Sequence, residues 1–83
     1  MDVDEQVVQV LEASLNVKLD RRRISANTAL LDILPDFESM AVVAVLTTME
    51  ERFGFTVDDD EVDGSVFETI GSLAAFLRGK LGA

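Results

Sequence analysis

The chain has 83 residues, 48% of them hydrophobic, and carries 16 acidic against 7 basic residues for a net charge of −9. That length supports one small core, so a single domain spanning residues 1–83 is expected. Cysteine and histidine are both absent, which excludes disulfides, thiolate sites, Ser-His-Asp catalysis, histidine bases and the common zinc sites.

The acidic balance disfavours nucleic acid and anionic membrane surfaces and favours a basic protein partner. The start, Met1-Asp2-Val3-Asp4-Glu5, is acidic where a secretory leader would be basic and then apolar. No apolar run approaches the ~20 residues of a membrane span. A soluble, cytoplasmic monomer is the expectation.

From Val3 to Leu15, Val3, Val7, Leu11 and Leu15 recur every four residues and keep one helical face apolar. Asp2, Asp4 and Glu5 suit the positive end of that first helix. Asn16 can close it in a left-handed turn. Residues 16–38 then form a long connection. Its cluster Arg21-Arg22-Arg23 reads as solvated charge offsetting nearby carboxylates. Leu30, Leu31, Ile33 and Leu34 are too apolar for a free loop and should pack over the core. A connection of this length is often functional. Pro35 pushes Leu34 out of helical conformation.

Ser39 to Phe53 reads as a second helix, with Val42, Val43, Leu46, Met49 and Phe53 as its core stripe. Gly54 stands where a helix-ending glycine belongs, and Phe55-Thr56-Val57 reads as an extended exit. Within the acidic run that follows, Asp59, Glu61, Asp63 and Gly64 resemble part of a calcium loop. Such a loop needs a bidentate glutamate at its twelfth position, which here is Ile70. No metal site is therefore expected, and a short third helix over Asp59 to Val66 is. Thr69 caps a last helix running to Leu81, with Ile70, Leu73, Phe76 and Leu77 buried. Together these make an all-α bundle, which by itself assigns no task.

A serine at a helix start is ordinarily a cap for a backbone N–H. The surroundings of Ser39 give it more. Glu38-Ser39-Met40 leads an apolar helix that closes Met49-Glu50-Glu51-Arg52-Phe53-Gly54-Phe55. Acidic residues follow, and Phe67-Glu68-Thr69-Ile70 opens the last helix. In this the chain resembles the acyl carrier proteins, from the first helix to Leu77 and best between Leu30 and Phe76.

The resemblance implies a four-helix bundle of acyl-carrier type, with a long loop between helices one and two and a short third helix. It implies that Ser39 bears a covalent 4′-phosphopantetheine arm taken from coenzyme A by a phosphopantetheinyl transferase. The arm's thiol would hold acyl groups as thioesters, and the protein would be a carrier, not an enzyme. Glu38, Met40, Glu50 and Glu51 would then serve partner recognition by acyl-loading ligases or synthases and acyl-transferring enzymes with basic docking surfaces. Val43, Leu46, Met49 and Phe76 would line a cleft for the acyl chain.

Glu38 departs from the family's usual aspartate. Ala41 and Ala44 stand where fatty-acid carriers are often acidic. These departures predict poor service to a housekeeping fatty-acid synthase and a dedicated partner instead. The runs Ser39-Met40-Ala41-Val42-Val43 and Val66-Phe67-Glu68-Thr69 are most similar to stand-alone carriers of bacterial exosortase and exopolysaccharide loci, pointing to lipid or exopolysaccharide biosynthesis. Two alternatives stay open. One is a stand-alone aminoacyl or peptidyl carrier using the same serine. The other is an unmodified acidic helical interaction module in which Ser39 is only a cap.

Overall fold

A computed structural model describes residues 2–34 and 39–82, with the backbone alone for Ser39 and Asp59. Pro35, Phe37 and Glu38 lie outside the described residues. Among the described residues four α-helices follow in order: α1 (Val3–Leu15), α2 (Leu30–Ile33), α3 (Ser39–Phe53) and α4 (Ile70–Leu81). Single 3₁₀ turns stand at Arg21–Arg23 and Asp59–Glu61.

The ends of α1 and α4 are set by local chemistry. The Asp2 carboxylate accepts the Glu5 N–H, and Asn16 ends α1 at φ 54°. Thr69 and Ser72 form a reciprocal capping box: each side-chain oxygen accepts the other's backbone N–H, at 3.0 and 2.9 Å. Gly54 terminates α3 at φ 76°, a left-handed conformation that glycine adopts without a Cβ penalty.

The core joins Val3, Val7, Val8, Val10 and Leu11 of α1 to Val45 and Met49 of α3 and to Ile70, Leu73, Ala74 and Leu77 of α4. Leu30 and Leu34 close it from the long connection. The first helix packs on both α3 and α4. Among the described residues, no polar or charged side chain is buried, so the apolar contacts carry the packing.

Three expectations are corrected. On α3 the fully buried valine is Val45, while Val43 is 56% exposed; Val42, Leu46 and Phe53 pack partly against the core. Residues Met40 to Leu46 are apolar nearly all round, so no polar face phases the helix in sequence. In the long connection, Leu31 points out at 65% exposure while Leu30 and Leu34 are buried. The expected third helix over 59–66 is one 3₁₀ turn, Asp59–Glu61, followed by turns. There the Asp63 carboxylate accepts the Ser65 N–H at 2.9 Å, a local bond that competes with helix continuation. No helix is long and apolar enough to cross a membrane among the described residues.

Candidate functional site

Ser39 is the first residue of α3. A helix start leaves backbone N–H groups without intrahelical acceptors and carries the positive end of the helix dipole. No acidic residue lies in the first turn of α3. Met40, 79% exposed, and Val43, which follow Ser39 by one and four positions on α3, face out and make an apolar surface on an otherwise acidic chain. A phosphodiester ester-linked at this position would meet amide donors and no carboxylate from that turn, and an apolar tether would meet Met40 and Val43. The residues present therefore fit a phosphopantetheine group.

The approach to α3 is anchored at a distance. Leu30 is fully buried and Leu34 nearly so, and the Leu34 N–H donates to the Leu30 carbonyl at 2.8 Å. With φ −133° and ψ 76°, Leu34 leaves the helical region, as the residue before a proline should.

At the far end of α3 the two adjacent acids diverge. The Glu50 carboxylate accepts the Val57 N–H at 2.7 Å and ties down the exit segment, whereas Glu51 is exposed. Glu50 thus has a structural duty that sequence spacing does not disclose. The exit is clasped further. Phe53 and Phe55 stack with ring centres 6.2 Å apart, and the Lys80 ammonium stands 5.8 Å from the Phe55 centroid. Lys80 also pairs with Glu61 at 2.8 Å. That ammonium, with the Asp58 N–H, holds the Glu61 carboxyl below its ordinary range. Of the expected cleft residues, Met49 is fully buried, Leu46 and Phe76 are half-buried, and Val43 faces out.

The arginine cluster behaves as loop charge. Arg21 reaches Glu5 at 2.7 Å and Glu12 at 2.6 Å on α1, depressing both carboxyl pKa values. Arg22 and Arg23 share Asp20 at 3.4 and 3.6 Å.

A profile of the family described as phosphopantetheine attachment site matches residues 5–77. The chain belongs to that family. The solution NMR structure of a holo acyl carrier protein from Nitrosomonas europaea is 43% identical, covers 100% of both chains and superposes with a TM-score of 0.84. Comparison with curated proteins gives no match. The carrier has the all-α acyl-carrier fold, and its role is to carry rather than to catalyse. Its cofactor is covalent phosphopantetheine, and its family implies a phosphopantetheinyl transferase and acyl-handling enzymes as partners.

Two contributions to the carrier's architecture escape motif reading: the Lys80–Glu61–Phe55 clasp, and Gly71 on α4. A glycine inside an otherwise regular helical pattern was the available signal for the second.

Proposed function

We propose that Ser39 is the attachment point and that this carrier presents acyl cargo to a dedicated enzyme of lipid or exopolysaccharide assembly in the cytoplasm, acting as a monomer. When bound, the prosthetic group supplies a thiol that holds acyl groups as thioesters. The chain's own residues supply position. The single observation that carries the reading is the place of Ser39, opening α3 beside the exposed apolar pair Met40 and Val43.

Each of the other four serines has a hydrogen-bonded side chain. The hydroxyls of Ser14 and Ser72 donate to the Val10 and Val66 carbonyls, and that of Ser65 to the Asp63 carboxylate. Ser25 Oγ accepts the Asn27 N–H.

Met40 and Glu51, both exposed, are the described residues best placed for recognition, with Glu50 contributing through the fixed exit segment. Glu38 completes the recognition set in this reading and lies outside the described residues. In this reading an apolar cargo is received between α3 and α4. Leu46, Met49 and Phe76 would line that space, with Val43 at its outer rim.

The test is direct. Incubation with coenzyme A and a broad-specificity phosphopantetheinyl transferase should add the mass of one arm. Peptide mapping should place it on Ser39, and Ser39→Ala should abolish the gain. An unmodified chain under conditions that modify a control carrier would favour the interaction module. Modification at another serine would overturn the site.

A further inference from the structure

Part of the long connection is fixed to the start of α4 through main-chain hydrogen bonds. The Leu30 N–H donates to the Glu68 carbonyl at 3.1 Å, the Ile70 N–H to Thr28 at 3.1 Å, and the Gly71 N–H to Ala26 at 2.8 Å. Ala29 and Thr69 form an antiparallel bridge within this seam. The strap is braced internally: Thr28 Oγ1 accepts the Ser25 N–H at 2.8 Å, and the Thr28 N–H donates to the Ser25 carbonyl at 3.1 Å. Two amides that a helix start leaves unpaired are thus given to the strap. The strap then sinks Leu30 and Leu34 into the core and ends five positions before Ser39.

Gly71 makes the fit possible. A Cβ at this position would lie 2.8 Å from the Ala26 carbonyl oxygen and 3.0 Å from the Ala26 Cβ. Neither is the end of a flexible side chain, so the strap itself would have to move. Helical sequences favour alanine over glycine, and here close approach overrides that preference. Gly79, two turns further along α4, has nothing within 4 Å of the same hypothetical atom.

We propose that Gly71 is a positioning residue for modification of Ser39. By letting the strap close on α4, it fixes residues 26–34, whose last member stands five positions before Ser39, and a transferase meets one arrangement of that strap rather than several. This role rests on the attachment proposed at Ser39. Displacing the strap lowers the fraction of molecules in the competent arrangement, and apparent affinity falls by that fraction.

The experiment uses the full chain as Gly71→Ala, Gly79→Ala and the double variant. Gly79→Ala raises helix propensity without a clash and offsets global destabilisation in the double variant, so local and global effects separate. Amide exchange is read at Leu30 and Gly71, and transferase kinetics by intact mass. In the double variant, with wild-type helicity and thermal midpoint, exchange at both amides should accelerate about tenfold or more. The transferase KM for the carrier should rise about three- to tenfold with kcat nearly unchanged. Gly79→Ala alone should match wild type in both. Thr28→Ala, which removes the internal brace without touching α4, should shift KM in the same direction. Wild-type exchange in the double variant would overturn the proposal, and so would fast exchange with an unchanged KM. A wild-type chain that gains no arm would instead overturn the attachment at Ser39.

Discussion

Met49 offers a single substitution that interrogates packing and cargo together. Its side chain is fully buried on α3, so Met49→Ala opens a cavity that the surrounding helices close only in part. Such truncations cost about 2–5 kcal/mol. At 0.05–0.15 kcal/mol per residue, a chain of this length has a total stability of about 4–12 kcal/mol. A loss near 3 kcal/mol would therefore remove a quarter or more of it and lower the thermal midpoint by roughly 12–24 °C, at about 4–8 °C per kcal/mol for a domain this small. Circular-dichroism melts of the unloaded protein measure that loss. The same melts on protein loaded with a medium-length acyl chain should show a smaller deficit, because the cargo occupies part of the vacated space. A midpoint within about 3 °C of wild type would refute the packing. An equal deficit in loaded and unloaded forms would refute a cargo site beside Met49.

Further outcomes follow from the caps and ion pairs. Thr69→Ala removes one half of the α4 capping box and should cost about 1 kcal/mol in urea unfolding. Glu50→Ala frees the Val57 N–H and should cost about 1 kcal/mol, with faster exchange at that amide as the local signature. Glu5, Glu12, Glu61 and Asp63 all have pKa values below their ordinary ones in the folded chain. Their contribution is present above the unfolded values, 4.5 for the glutamates, and is lost as pH falls through the lower folded values. Arg21→Met removes the main cause for Glu5 and Glu12, so its stability should decline less steeply below pH 4.5; a parallel acid limb would contradict that origin.

How much of this was readable in the sequence depended on whether the signal was local. The bounds of α1, its left-handed Asn16, Gly54 after α3 and the Thr69 cap are each decided within a few residues, and each stands as the spacing predicts. The family was legible because a short motif gained its context from a whole-chain pattern. On α3 the stripe was legible at Val42, Leu46, Met49 and Phe53 but not in the choice of Val45 over Val43, because the valines present the same chemistry and only the neighbouring helices choose among them. The short α2 and the strap depend on contacts between residues about forty positions apart in the chain, such as Ala26 with Gly71, which no periodicity encodes. Glu50 shows a subtler gap: its acidity is visible, while the Val57 amide that occupies it is not.

Because α1 lies against both α3 and α4, it leaves the ribosome before its packing partners and waits for α4 before its apolar side is fully covered. A nascent chain halted ahead of Ile70 would keep much of the valine-rich surface of α1 wet and open to chaperones. The carrier is therefore poorly suited to being assembled piecemeal during synthesis, and a truncated product should be cleared by proteolysis instead of accumulating as a partly working form.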